Sequence, residues 1–186
     1  AARELDKEPG ATVIHNLIPS KAVHEIVREH GGMPVRTRVG HSFIKATMAQ
    51  TGAVFGGEHS GHFYFRDFWR ADSGMLAALH ALAALGSTDR PLSELLASYD
   101  RYVGSGEVNT EVADTTAALA AVRDSFAALP GAKVDELDGL TVEVGAGEWF
   151  NVRPSNTEPL LRLNVEAPDH ASMEKLRDDV LAVIRR

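Results

Sequence analysis

Several residue classes are scarce in this sequence or missing from it, and each absence excludes a class of protein. No cysteine occurs in its 186 residues, which excludes disulfide bonds and thiolate metal ligands. No apolar run approaches the length of a membrane-spanning helix and no signal peptide is evident, so we expect a cytoplasmic protein without a membrane partner. Lysine and arginine (19) are outnumbered by aspartate and glutamate (26), which argues against a nucleic-acid partner.

The first half of the chain alternates between strand and helix patterns. β-branched residues predict a strand over 12–18, and Pro19-Ser20 precedes a predicted helix that ends near residue 29. A strand over 33–39, a turn at 40–42, a helix over 43–49 and short strands at 53–55 and 63–65 follow, and Asp72 is the expected cap of a helix over 73–85. This order is typical of βαβ units, so we predict an α/β domain with a mixed sheet.

The second half predicts an α+β domain with an antiparallel sheet and two helices. A strand over 108–112 leads into a helix capped by Asp114, and the last strand is followed by a helix over 169–185. Short strands separated by glycine-containing turns lie between these two helices. Glycine and serine interrupt every pattern over 103–107, which predicts a flexible joint and places the two domains at 1–104 and 105–186.

Two polar stretches stand out from this background. The first, Gly56-Gly57-Glu58-His59-Ser60-Gly61-His62, is a glycine-bounded turn between two short apolar strands, a place where α/β sheets bind ligands. The second, Arg153-Pro154-Ser155-Asn156-Thr157-Glu158-Pro159, places a guanidinium, two hydroxyls and an amide in a loop framed by prolines. A fixed fork of donors beside short polar side chains suits a phosphate group.

Together these stretches resemble the sugar-recognition loop and the phosphate-binding loop of the α-D-phosphohexomutases, in particular the phosphomannomutase/phosphoglucomutase group. The likeness extends over nearly the whole chain. It implies that residues 1–104 are the third domain of a four-domain enzyme, truncated at its N-terminus, and that residues 105–186 are the fourth. The first residues, Ala1-Ala2-Arg3, begin without methionine in a helix-like segment, as expected for a fragment.

The resemblance implies a role for each polar side chain of the two loops. Glu58 and Ser60 would hold adjacent hydroxyls of a hexose ring, His41 would contact the substrate, and His62 would donate or accept a proton near the reacting hydroxyl. The implied phosphate-binding residues are Arg153, Ser155, Asn156 and Thr157. The parent enzyme would be an isomerase of carbohydrate metabolism that interconverts the 1- and 6-phosphates of mannose or glucose.

The family mechanism also implies parts that this sequence does not contain. A phosphorylated serine, a magnesium ion and a hexose 1,6-bisphosphate intermediate belong to it, and the serine and metal loops lie in the first two domains. Gly40-His41-Ser42-Phe43 does not match the family's Ser-His-Asn-Pro loop, and Asp135 and Asp138 are too widely spaced for Asp-x-Asp-x-Asp. We therefore expect no metal site here, an inactive isolated chain, and the missing N-terminal domains as its partners.

Alternatives remain open at the level of sequence. Glu58 also fits an ordinary surface carboxylate, and Glu58, His59 and His62 together offer ligands for zinc, although Gly61 places them on a loop and a fourth ligand is not evident. The chain would equally suit a stand-alone, non-catalytic phosphosugar-binding module or a phosphoglucosamine mutase fragment. His59, in place of a common methionine of the family, leaves the preferred hexose open.

Overall fold

The computed structural model describes residues 1–145, 147–155 and 158–186 of the chain. They form two compact units, Ala1–Arg101 (unit 1) and Tyr102–Arg186 (unit 2). The boundary that the sequence suggests after residue 104 lies within the first strand of unit 2, which begins at Val103.

Unit 1 is a mixed sheet with helices. Its strands are β1 (Thr12–Asn16), β2 (Met33–Thr37), β3 (Phe55–Gly57), β4 (Phe63–Phe65) and β5 (Ala71–Asp72), and its helices are α1 (Ala2–Lys7), α2 (Lys21–Glu29), α3 (His41–Thr51), α4 (Gly74–Leu85) and α5 (Leu92–Ala97). The strand order is β2-β1-β3-β4-β5. β1 is parallel to β2 and β3, whereas β4 is antiparallel to both of its neighbours. The predicted α/β mixed sheet is confirmed.

The core of unit 1 lies on both faces of this sheet. Neighbouring residues of a strand point to opposite faces, so Val13 packs in one apolar cluster and Ile14 in another. Helix α4 contributes to neither cluster, and several of its large side chains are exposed, among them Met75 by 78% and Leu82 by 63%. An apolar cleft of about 680 Å³ lies beside it, lined by residues of α1, α2, α4 and the β3–β4 region.

Unit 2 is an antiparallel sheet covered by two helices. Its strands are β6 (Val103–Glu111), β7 (Lys133–Asp135), β8 (Leu140–Gly145), β9 (Glu148–Pro154) and β10 (Leu160–Ala167), in the order β6-β10-β9-β8-β7, and its helices are α6 (Thr115–Phe126) and α7 (His170–Ile184). One continuous core joins the sheet to both helices around Phe150, Leu163 and Val180. The predicted α+β architecture is confirmed.

Several local predictions need correction. Residues 103–107 are not a flexible joint but the start of β6, because β10 supplies hydrogen-bond partners despite the glycines, and Val165 N–H donates to Ser105 Oγ. His41 belongs to the first turn of α3 rather than to a preceding loop. Helix α4 is capped by Ser73, which frees Asp72 for another role. Across the described ranges, every helix is too short or too polar to cross a membrane.

Candidate functional site

The polar turn of unit 1 is held in shape by its own backbone. Gly57 and Phe63 pair as the last and first residues of β3 and β4, Glu58 N–H donates to His62 O at 2.9 Å, and Gly61 N–H donates to Glu58 O at 3.1 Å. Gly61 has a φ of +82°, a conformation that glycine adopts without steric cost. The turn therefore leaves Ser60 exposed at its tip and His62 half-buried at its end.

Glu58 is the centre of a hydrogen-bonded group that we call the Glu58 cluster, formed with Asn16, Gly40 and Tyr64. The residue is only 6% exposed, so the surface-carboxylate alternative is excluded. Its Oε2 accepts from Asn16 Nδ2 (3.2 Å) and Gly40 N–H (3.1 Å), and its Oε1 accepts from the Tyr64 hydroxyl (2.5 Å). Burial, together with this bond to the carboxylate, raises the pKa of Tyr64. One buried carboxyl group thus joins the end of β1, the start of α3 and strand β4.

A glycine lets helix α3 approach the turn closely. A Cβ on Gly56 would lie 3.0 Å from Ile44 Cγ2 and 3.5 Å from Tyr64 Cβ, so a larger residue would push α3 away from β3. His41 is the first residue of α3, and its ring lies 4.4 Å from that of His62, measured between centroids. Gly56 therefore allows α3, which begins with His41, to lie close to the strand that leads into the turn.

A carboxylate orients His62. Asp72 Oδ2 lies 2.6 Å from His62 Nδ1, and Asp72 Oδ1 accepts from Phe63 N–H at 2.8 Å. Burial alone would raise the pKa of Asp72, but the hydrogen bonds from Phe63 and His62 outweigh it and lower that pKa. Because an ionised carboxylate only accepts, Nδ1 is the protonated nitrogen of neutral His62 and Nε2 is available to a ligand.

The side chains of His41, His62 and Asp72 form a second group, the histidine cluster. One ligand atom from each lies within 4.8 Å of the other two. In the described part of the chain these are the residues that could hold a metal, rather than Glu58, His59 and His62. The Glu58 carboxyl group already accepts hydrogen bonds within its own cluster, and the His59 side chain is exposed.

The phosphate-loop prediction falls in unit 2, where Arg153 has a partner on the neighbouring strand. Arg153 in β9 pairs in register with Arg162 in β10. Glu107 of β6 holds both guanidinium groups, at 3.3 Å from Arg153 Nη2 and 3.2 Å from Arg162 Nη1. Arg162 Nη2 also lies 3.4 Å from Ser155 Oγ. We call Glu107, Arg153, Ser155 and Arg162 the arginine cluster; two positive charges and one negative charge leave it with a net positive charge.

The arginine cluster offers donors that the described protein atoms do not use. The Nε atoms of Arg153 and Arg162 are buried, and no acceptor among the described residues lies within hydrogen-bond distance. Gly139 fixes the position of β9, because a Cβ there would lie 2.5 Å from Val152 O and 2.6 Å from Arg153 Cβ. The two other predicted phosphate ligands, Asn156 and Thr157, lie outside the described residues.

Sequence reasoning missed three of the residues that complete these clusters. Asp72 was expected only as a helix cap, and its link to His62 depends on the pairing of β4 with β5. Arg162 and Glu107 depend on the register of three strands. A usable signal was present for Arg162, since a single charged residue in the apolar run Leu160-Leu161-Arg162-Leu163 indicates a strand face with a specific partner.

Comparison with known proteins gives consistent results for both units. Residues 1–102 match the sequence model described as phosphoglucomutase/phosphomannomutase, alpha/beta/alpha domain III, and residues 107–183 match the model described as the C-terminal domain of the same family. A phosphomannomutase of Methanocaldococcus jannaschii is 39% identical over 186 residues, which are 100% of this chain and 40% of that protein.

Solved structures share the fold. A phosphoglucomutase/phosphomannomutase family protein from Burkholderia thailandensis superposes with a TM-score of 0.84 at 30% identity, over 99% of this chain and 39% of its own. An Aspergillus fumigatus N-acetylphosphoglucosamine mutase, solved with GlcNAc-6P and magnesium, is similar in fold (TM-score 0.70, 13% identity) over 100% of this chain and 44% of its own. The chain thus spans about 40% of the length of the curated relatives it matches.

Proposed function

Because the chain belongs to the phosphoglucomutase/phosphomannomutase family, we propose that it is the substrate-binding half of a phosphohexomutase. Such an enzyme is an isomerase that interconverts a hexose 1-phosphate and a hexose 6-phosphate through a hexose 1,6-bisphosphate. The observation that carries the proposal is the arginine cluster of unit 2. The Glu58 cluster and the histidine cluster of unit 1 supply the groups that a sugar ring requires.

The arginine cluster suits the phosphate of such a substrate. Two guanidinium groups on adjacent strands present several N–H donors, and Glu107 holds them in place before a ligand arrives. A phosphate oxygen can accept from N–H groups on the exposed part of each guanidinium, since the Arg153 side chain is 18% exposed and that of Arg162 is 30% exposed. The hydroxyl of Ser155 lies beside Arg162 and adds a short donor. We include Asn156 and Thr157 in this proposal on their sequence pattern alone.

In unit 1 we assign Glu58 and Ser60 to two sugar hydroxyls. A carboxylate has about four lone-pair positions, and Glu58 uses three of them within its cluster, which leaves one for a hydroxyl. The same three bonds fix the turn that carries Ser60. Preorganised polar groups cost little to orient when a ligand binds, so both hydroxyl contacts are compatible with a half-buried site.

His62 is the proposed proton carrier. Asp72 holds the protonated Nδ1, so Nε2 can accept a proton from a sugar hydroxyl and donate it back when the proton returns. The Asp72 charge stabilises the imidazolium that forms during the transfer. His41, with its ring in contact with that of His62, would contact the substrate and limit the directions in which His62 can turn.

Magnesium and a phosphorylated serine belong to the proposed mechanism of a longer protein, but the residues of this chain do not fit them. The sequence has no Asp-x-Asp-x-Asp loop, and the histidine cluster offers two nitrogens and one oxygen, whereas Mg²⁺ prefers oxygen ligands. We therefore expect no mutase turnover from these 186 residues alone. Turnover that rises in proportion to purified chain, with hexose 1-phosphate, glucose 1,6-bisphosphate and magnesium present, would contradict this.

The test of the proposed function is a calorimetric titration of the chain with glucose 1-phosphate and mannose 1-phosphate. Arg153→Ala should weaken binding by roughly 1.5–3 kcal/mol, or about 10- to 150-fold, because a charge-assisted hydrogen bond is lost. Arg177→Ala is the matched control, since this arginine of α7 forms an ion pair with its chain neighbour Asp178. Equal affinity in the parent and Arg153→Ala proteins would remove the phosphate role from the arginine cluster.

A further inference from the structure

The histidine cluster has the composition of a transition-metal site. His41 begins α3, His62 ends the β3–β4 turn and Asp72 ends β5, so three separate elements each contribute one ligand. Two imidazole nitrogens and one carboxylate oxygen, with a fourth position left open, are a set that suits zinc and similar borderline ions. We propose that this cluster binds one Zn²⁺ ion, or a related divalent transition metal, in unit 1.

The distances between the three ligand atoms are compatible with zinc binding without a rearrangement of the backbone. The three ligand atoms lie within 4.8 Å of one another, and tetrahedral zinc with bonds of about 2.0–2.1 Å requires a separation of about 3.3 Å between ligand atoms. His41 is exposed, so a rotation of its side chain can shorten the longest separation. His62 and Asp72 are already 2.6 Å apart, which a metal would widen by replacing the proton between them.

The ligands are also held from behind. Phe63 N–H fixes Asp72 through Oδ1, so Oδ2 stays directed at the cluster. Gly40, the residue before His41, donates its N–H to Glu58. Support of this kind by neighbouring hydrogen bonds is typical of metal sites, where it orients the ligands before the ion binds.

The N-terminus of α3 carries a partial positive charge, which disfavours a cation at this place. Two carboxylates oppose it, Asp72 as a ligand and Glu58 through its bond to the first backbone amide of this turn. The local charge therefore favours a divalent ion. A metal ion held by His41 and His62 would lie where the proposed function places the sugar, so, if that function holds, metal and hexose phosphate would compete for this space.

The experiment titrates the 186-residue chain with Zn²⁺ by calorimetry and with Co²⁺ by visible absorption. We expect one ion per chain and a d–d band typical of low coordination number. His41→Ala and Asp72→Asn should each weaken binding at least tenfold, whereas His59→Ala, which removes an exposed histidine of the same turn, should not. Melting curves of the variants test whether unfolding causes the loss of binding. We expect His41→Ala to remain folded, because His41 is exposed.

Two outcomes would overturn the metal site. One is the same Zn²⁺ affinity in the parent and His41→Ala proteins, and the other is an equal loss in His59→Ala. A hexose phosphate arm separates this inference from the proposed function. Zn²⁺ binding that leaves glucose 1-phosphate affinity unchanged keeps the metal site and removes His62 from sugar recognition. Glucose 1-phosphate binding without Zn²⁺ binding would remove the metal site and leave the proposed function standing.

Discussion

The two units bury their apolar residues in different ways. Unit 2 places one continuous core between one sheet and two helices, and Phe150 and Val180 at its centre are fully buried. Unit 1 divides its core between the two faces of its sheet, and helix α4 keeps large side chains such as Met75 and Leu82 exposed. Unit 2 therefore carries the packing of a self-sufficient fold, while unit 1 has apolar surface that its own residues do not cover.

The two units also differ in the ionisable side chains that they contain. Seven of the eight histidines lie in unit 1, and the remaining one is His170 in unit 2. The candidate site of unit 1 is built from a buried carboxylate and titratable imidazoles, whereas that of unit 2 uses guanidinium groups that stay charged at all ordinary pH values. We expect the first unit to respond to pH and the second to core packing.

The largest effect should come from the centre of unit 2. Phe150→Ala removes a fully buried ring that packs edge-on against Phe126 and should cost about 3–5 kcal/mol of unit 2 stability. Hydrogen exchange resolved by residue should show protection lost across β8, β9 and β10 while β1 keeps its protection. Val134→Ala, at a 42% exposed position of β7, is the control. An equal loss of protection in both units would mean that their stabilities are not separate.

The second effect concerns pH and unit 1. Burial lowers the pKa of His15 from 6.5 to about 4, although a hydrogen bond to Asn16 O opposes the shift. The unfolded chain binds a proton near pH 6.5 and the folded one does not, so this contribution is present above pH 6.5 and is lost as pH falls toward 4. The loss of folding stability amounts to roughly 2.5 kcal/mol by about pH 4.5.

Hydrogen exchange of the parent protein at about pH 7.5 and about pH 4.5 measures this loss. Unit 1 should lose stability relative to unit 2, and His15→Leu should remove most of the difference because the titrating group is gone. Burial also lowers the pKa of His80, which adds a smaller effect of the same sign. A difference that is unchanged in His15→Leu would assign the pH response to other groups.

The smallest expected effect is the difference between substitutions of Glu58 in unit 1 and Glu107 in unit 2. Glu58→Gln replaces a buried acceptor with an amide whose NH₂ meets the donors of Asn16 or Gly40, and should cost unit 1 about 1–3 kcal/mol. Glu107→Gln alters a side chain that is 30% exposed and should cost unit 2 less than about 1 kcal/mol. Thermal melts of the two variants decide this, and a larger loss for Glu107→Gln would reverse the comparison.

Much of the local structure was predictable from sequence because its causes are local. Asp114 caps α6 by accepting from two backbone amides of the next turn, as its place before an alanine-rich run predicts. Gly61 marks the polar turn, because a positive φ favours glycine. The order of strands and helices was enough to separate the mixed sheet of unit 1 from the antiparallel sheet of unit 2.

The sequence by itself determined most of the segments that form strands and helices, and the two stretches that carry polar chemistry. Only the tertiary structure decided that Glu58 is buried, that Asp72 holds His62, and that Arg162 lies beside Arg153. The physical reason is that these relations depend on strand register, and a shift of one residue would turn each side chain to the other face of its sheet. Residues 103–107 form a strand because they pair with β10, whereas their glycines alone predict a flexible joint.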